Sequence, residues 1–324
     1  MPGKRKTHYD WKVYNKELVE RGKRLANRIK TIKTEVIEFW DEELRQMNEG
    51  KEGARFEYPN SQIIFLSILR SAFNINSYRN LSGLGTLFFD QVPDYTRIHR
   101  RIGKLELSIV KNINREITKA RTKDRVMEIS MDGTGVQING KHVWIDRKTK
   151  KVRKRDWKKI NIAIDVETRQ ILGINVLGRD DNEGSHENTA DLMGEVFNNI
   201  DGEVIKAYGD GGYDNVENFR MFEYLGIDPV IRIRKSSRKK AEQMSRALKT
   251  KKRSEFFSKK RNKEALKQFD WEKYVEDSRY GKRGGIEGFI GSFKRFFREN
   301  VFSRIDEMIE REILTRVLVW NIVV

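Results

Sequence analysis

The stretch VMEISMDGTG, residues 126–135, decides how this chain is read. Val126 to Met131 has the composition of a strand and runs into Asp132-Gly133-Thr134-Gly135, so an acidic side chain stands at a strand end in a glycine-rich setting. The same arrangement returns downstream: Val204 to Tyr208 reads as a strand, and Gly209-Asp210-Gly211-Gly212-Tyr213 follows it. Either aspartate alone would read as an ordinary turn residue. Two in matching contexts point to a shared site.

Between and beyond them the pattern is regular. A basic connection, Lys141 to Lys159, leads to Ile160–Asp165 and Ile171–Val176, which flank a turn at residues 166–170 and predict an antiparallel hairpin. Asn188 to Phe197 has helical character, as does Val216 to Leu225, with Gly226 as its stop, and Pro229 to Ile233 reads as a fifth strand. Three strands, a helix, a strand, a helix and a strand is the order of an α/β, RNase H-like fold: a mixed sheet with flanking helices. That order sets the first and fourth strands side by side, which brings Asp132 and Asp210 to one edge.

A third carboxylate lies in YGKRGGIEGFIGSFK, residues 280–294. At about 100° per residue, Tyr280, Arg283, Glu287 and Lys294 fall within roughly 60° of one another on a helix, and Arg298 joins that face. Ile286, Phe289, Ile290, Phe293 and Phe297 form a separate apolar stripe that predicts docking on a core. Ion pairs on an exposed helix would account for the charges alone. Gly281, Gly284, Gly285, Gly288 and Gly291 would not, since each costs about 1 kcal/mol of helix propensity and suits a backbone that must come close to a phosphate or metal. They also allow Tyr280 and Arg283 to precede the first helical turn.

The spacing Tyr-(2)-Arg-(3)-Glu-(6)-Lys, together with Asp132-Gly-Thr-Gly and Asp210 in an Asp-x-Gly-Tyr context, resembles the signature of DDE-type insertion-sequence transposases, and the likeness covers most of the chain. The resemblance implies that Asp132, Asp210 and Glu287 are the catalytic metal ligands, Asp214 being a weaker substitute for Asp210. It implies two Mg²⁺ or Mn²⁺ ions, as oxygen-only donors would favour. Tyr280, Arg283 and Lys294 would hold the DNA backbone, with Arg298 beside them. The activity implied is cutting of element ends by metal-dependent hydrolysis and joining of 3′-hydroxyls to target DNA, with a homodimer bringing two ends together. A metal-dependent nuclease on the same fold, or a non-cutting DNA-binding protein derived from a transposase, are the other readings of these residues.

Composition fits a nucleic-acid partner. Among 324 residues, 66 Lys and Arg against 48 Asp and Glu leave a formal net charge of +18. The absence of cysteine removes disulfides, thiol nucleophiles and zinc fingers of the cysteine type. Four histidines, His8, His99, His142 and His186, give a serine triad little support, and Gly83-Leu84-Gly85 lacks the further glycine of a nucleotide-binding turn. His186 stands at a helix start, where a structural role competes with a place near the metals. The N-terminal MPGKRKTHYD has no apolar leader and no apolar run spans a bilayer, so the expected location is the cytoplasm, at the nucleoid.

Residues 1–124 predict a helical domain. Apolar residues from Trp11 to Leu44 have helical spacing up to a break at residues 48–53; Asn60 and Ser61 offer caps for a helix to Phe73; others are expected over Ser77 to Leu87, Tyr95 to Leu105 and on to Arg121. Residues 77–105 suggest a helix-turn-helix, with Arg97, Arg100, Arg101 and Lys104 on its outer face as DNA contacts, although a solvated basic face explains them equally. The catalytic domain is then 125–324, carrying a basic helical insertion over about 235–272 whose KSSRKKAEQM, RALKTKKR and SKKRNK segments, with Phe256 and Phe257, suit phosphate contact. Ile309 to Val324 reads as a core helix.

Overall fold

The computed structural model describes residues 11–138, 157–178, 180–247 and 259–324. The N-terminal MPGKRKTHYD with His8, the basic connection 141–156 with His142, and Phe256 with Phe257 lie outside the described residues. Two compact units divide the chain: Met1–Glu106 with Leu318–Val324, and Leu107–Val317. The second unit takes in helix α6 (Leu107–Thr122), which the expected division at 124/125 assigns to the helical part. The reason is local to the second unit: Lys111 of α6 reaches Glu195 at 3.0 Å, and the Thr122 hydroxyl accepts from the Asp201 N–H.

The helical unit contains α1 (Trp11–Glu38), α2 (Trp40–Asn48), α3 (Asn60–Ala72), α4 (Tyr78–Gly85) and α5 (Tyr95–Lys104). Its centre is α3, where Ile63, Phe65, Leu66 and Leu69 are fully buried, as are Leu81 of α4 and Ile98 of α5. The predicted Asn60 and Ser61 caps are not used as caps. Pro59 precedes the helix in an extended conformation, the Ser61 N–H donates to Glu43 of α2, and the Asn60 side chain accepts from Arg101. Asp94 caps α5 through the N–H groups of Thr96 and Arg97. Residues 86–94 connect α4 to α5, with Phe88 and Phe89 edge-on to Phe65. That connection is longer than the three or four residues of a tight helix-turn-helix.

In the second unit the strands are β1 (Val126–Ile138), β2 (Trp157–Asp165), β3 (Ile171–Leu177), β4 (Glu203–Gly209), β5 (Asp228–Ile231) and β6 (Asn300–Val301). The order is β3-β2-β1-β4-β5, with β1–β2 and β2–β3 antiparallel and β1–β4 and β4–β5 parallel, which is the RNase H-like arrangement predicted. Met127, Ile129 and Met131 bury one face of β1 in a core with Leu192, Met193 and Val196 of α7 (His186–Asn199) and Phe219 and Phe222 of α8 (Val216–Tyr224). On the other face Tyr208 and Val230 pack with Tyr274. Gly226 stops α8 with φ 72°.

Two departures bear on the site. β1 does not end at Met131; it runs to Ile138 because β2 pairs with it from Ile129 to Gln137. Its other neighbour, β4, last pairs at Ser130–Tyr208, and β6, which the sequence did not reveal, takes up the same side of β1 at Gln137–Ile138. The interval between leaves a stretch of β1 edge, Met131 to Val136, without a strand partner on that side, and Asp132 lies within it.

The basic insertion forms α9 (Lys235–Ala247), α10 (Lys260–Lys267) and α11 (Trp271–Ser278). It is anchored rather than merely solvated: Ala241 and Ala265 are buried in the α7–α8 core, and Gln268 exchanges hydrogen bonds with the Ile231 carbonyl and the Ile233 N–H at 2.7 and 2.8 Å. Helices α12 (Gly284–Phe297) and α13 (Asp306–Val323) complete the chain. Within α13, buried Glu312 accepts from the Phe302 and Ser303 N–H groups and from Arg316, which also donates to the Asn300 carbonyl at 2.6 Å. This pair fixes the turn that carries β6.

Candidate active site

Asp132 lies in β1, opposite Ile162 of β2, at the point where β4 has left the ladder. Asp210 is the first residue beyond β4, two past Tyr208, the last residue that β4 pairs with β1. Parallel register thus carries the two aspartates to the same level, at the carboxyl end of β4, where open α/β sheets place ligands. Each carboxylate is braced locally: Asp132 accepts from the Gly133 N–H at 2.9 Å, and Asp210 from the Gly212 N–H at 2.7 Å. Burial pushes the Asp132 carboxyl up to about 6; the Gly133 bond opposes this, the Asp210 charge adds to it, and Arg283 and Glu287 act on it in opposite directions. All four groups therefore share one electrostatic neighbourhood.

Tyr280 to Arg283 form a 3-10 turn, and the α-helix begins at Gly284, so the four-residue face is assembled from a turn and a helix. Ile286, Phe289, Phe293 and Phe297 are buried as predicted. Glu287 is exposed and paired with Arg283 one turn earlier. Although burial works against it, the Arg283 guanidinium is held charged by Tyr280 and Glu287. Burial raises the Tyr280 phenol, with Arg283 and Arg232 pulling it down and the Asp210 and Glu287 charges raising it further. Lys294 is half-buried and Arg298 exposed just past the helix end; among the described residues neither side chain has a hydrogen bond or ion pair.

The glycines separate into two kinds. A side chain at Gly285 would overlap the guanidinium of Arg169, from the β2–β3 turn, so this glycine serves packing. A Cβ at Gly281, Gly284, Gly288 or Gly291 would meet nothing within 4 Å. No contact among the described residues explains those four, and they leave bare backbone beside Glu287.

Other candidates resolve plainly. Asp214 is consumed by a bidentate ion pair with Arg261, at 2.7 and 3.1 Å, and is not available to a metal. His186 lies 3.3 Å from the Asn218 amide oxygen at the start of α7, a framework contact. On α5, Arg97 pairs with Glu57, and Arg101 donates to the Tyr58 carbonyl and to Asn60, whereas Arg100 and Lys104 are exposed without polar partners among the described residues. Sequence reasoning missed Glu183. Its chain covers Gly133, it pairs with Lys159 at 2.9 Å, and its charge, with those of Asp132 and Asp210, bears on Tyr213. It sits in the polar loop 181–184, which gives no sign of which strand it will meet.

The donor set is all oxygen, which suits Mg²⁺ or Mn²⁺. Among the described residues no three His, Asp or Glu side chains close into a finished cage, and Glu287 is engaged by Arg283. Asp132 and Asp210 are the part of the set that fits: their burial and mutual repulsion are what a divalent cation relieves. Among the described residues no helix is long and apolar enough to cross a membrane.

A family profile described as "Transposase DDE domain" matches residues 127–322, a span holding all three acidic candidates and the Tyr280–Lys294 segment. Solved structures with similarity include the Drosophila P element transposase strand transfer complex, at TM-score 0.28 and 13% identity over 61% of this chain and 42% of that one. Another is a pre-cleavage Mos1 transpososome, at TM-score 0.23 and 10% identity over 78% and 84%. This chain thus spans less than half the length of the first of them.

Proposed function

Since the chain belongs to the transposase DDE domain family, we propose that it is a DNA transposase that cuts the ends of its element by phosphodiester hydrolysis and joins the freed 3′-hydroxyls to target DNA. The observation that supports this most directly is the shared level of Asp132 and Asp210 at the open edge of β1, within electrostatic reach of the Arg283–Glu287 pair. Asp132, Asp210 and Glu287 would hold the divalent metal, with Arg283 free to pair with a phosphate; such a metal would supply activation of the attacking oxygen and charge for the leaving one.

The remaining work falls to the chain itself. Arg283 offers a planar, permanently charged fork for a phosphate beside the cut. Lys294 and Arg298 extend the positive track along and past α12, and the raised phenol of Tyr280 stays a donor at neutral pH. The glycines allow the sugar-phosphate backbone to approach the helix closely. In the helical unit, Arg100 and Lys104 are the cations of α5 free for phosphate contact, with Arg97 and Arg101 chiefly holding the unit together. Two element ends call for two active sites, so a homodimer forms on DNA, in the cytoplasm at the nucleoid.

The test is incubation of the purified protein with labelled DNA spanning the borders of its own gene, with Mg²⁺ or Mn²⁺, beside Glu287→Gln. Discrete nicks exposing 3′-hydroxyls, followed by joined products and absent in the variant, are expected. Cutting without joining would instead make the protein a nuclease, and binding without any metal-dependent product would make it a DNA-binding relative.

A further inference from the structure

The ladder between β1 and β4 stops at Ser130–Tyr208, before either aspartate, so backbone pairing does not hold Asp210 beside Asp132. We propose that Asn161 and Tyr213 are a buried positioning pair that sets the separation of the two carboxylates, an inference that rests on the transposase reading of the site.

Asn161 lies on β2 opposite Gly133, the residue after Asp132, and is fully buried, as is Tyr213. The Tyr213 hydroxyl donates to the Asn161 amide oxygen at 2.6 Å. The direction of this bond follows from chemistry. The Asn161 amide nitrogen donates to the Glu183 carbonyl at 3.0 Å, and a carbonyl only accepts, so the amide oxygen must face the phenol.

Tyr213 closes the 3-10 turn that Asp210 opens, and its N–H donates to the Asp210 carbonyl at 3.3 Å. Its ring passes under the end of β4, where a Cβ at Gly209 would lie 3.1 Å from ring carbon Cδ2. The phenol–amide bond therefore ties the Asp210 turn to β2, across the strand that carries Asp132.

A second asparagine clamps the same turn from behind. Buried Asn218 donates to the Gly184 carbonyl at 3.0 Å and to the Tyr213 carbonyl at 3.2 Å. Gly184 packs so closely on the Gly212 carbonyl that any side chain there would strike backbone. Loop 183–184, the Asp210 turn and β2 are thus locked to one another, and the lock reaches Gly133, the neighbour of Asp132, through the β1–β2 pairing at Asn161 and through the Glu183 side chain that covers it.

Most buried polar pairs simply satisfy one another and contribute to stability, so the test needs readouts that such a role would not move. Tyr213→Phe keeps the ring and deletes the bond. The variant, the wild type and Tyr208→Phe, which removes a β4 hydroxyl bonded to Glu128 of β1, are compared for melting temperature, Mn²⁺ affinity by electron paramagnetic resonance, and border cleavage. For Tyr213→Phe we expect a fall in Mn²⁺ affinity of about tenfold or more and in cleavage of about a hundredfold that saturating Mn²⁺ does not restore. Tyr208→Phe should match the wild type in both. Asn161→Ser, which deletes the acceptor from the other side, should reproduce the Tyr213→Phe losses. Wild-type Mn²⁺ affinity and cleavage in folded Tyr213→Phe, or failure of both variants to fold, would reduce the pair to a structural bond and overturn the inference. A wild type that itself neither binds Mn²⁺ nor cuts would strike the transposase reading instead.

Discussion

Asp132 is the residue at which the architecture bears hardest on chemistry. A carboxyl whose folded pKa of about 6 lies above its unfolded value of about 3.9 contributes stability that is complete below the lower value and lost as pH rises through the higher. Metal-free protein is therefore strained at neutral pH by an ionised, half-desolvated Asp132 beside Asp210. Asp132→Asn removes that strain: it should melt above the wild type at pH 7.5 and close to it at pH 4.5 when both are followed by scanning calorimetry. An equal shift at both pH values would mean that the charge is not the cause. The placement of Asp132 and Asp210 at one level of the sheet was legible from the order of strands and helices. Their bracing was not, because Glu183, Asn161 and Tyr213 meet only after three separate segments have packed, and no local pattern in residues 161 or 183 announces a partner so far along the chain.

At the scale of the element, α12 combines a buried apolar stripe with a run of glycines, Gly284, Gly288 and Gly291, at which a side chain would meet nothing. The stripe was legible from its helical period and is buried at Ile286, Phe289, Phe293 and Phe297. The start of the helix was only half legible, since Tyr280 to Arg283 belong to a 3-10 turn whose closure depends on Arg279, which adopts φ 58°. Gly288→Ala separates stability from function on this element. Space is open there, so the change should stabilise the helix by about 0.5–1 kcal/mol while weakening binding to an element-end duplex, read by thermal melting and fluorescence polarisation. Unchanged or tighter binding in the more stable variant would show that the bare backbone does not meet DNA. In the helical unit the apolar period foretold α5, but the break at Phe39 between α1 and α2 carries no Gly or Pro and left no trace in the sequence.

For the whole molecule, the sheet order followed from the succession of strands and helices, whereas β6, two residues long, has no pattern to read. It is held from outside, by the buried Glu312–Arg316 pair and its bonds to residues 298–303. Breaking one partner of such a pair leaves an uncompensated buried charge, so Glu312→Ala should cost about 3–5 kcal/mol in urea unfolding and cost the protein Mn²⁺ affinity if β6 holds α12 in place. A loss below about 1 kcal/mol would mean that the turn has other sufficient supports.

The open edge of β1 also has a consequence in time. Asp132 and Asp210 leave the ribosome well before residues 284–301, which supply Glu287 and occupy the far end of that edge. At 5–20 residues per second the interval is on the order of ten seconds. On the proposed transposase reading, the nascent chain in that interval carries both aspartates and most of the sheet but lacks Glu287, and is expected not to cut the DNA from which its own message is being copied until residues 284–301 have been made.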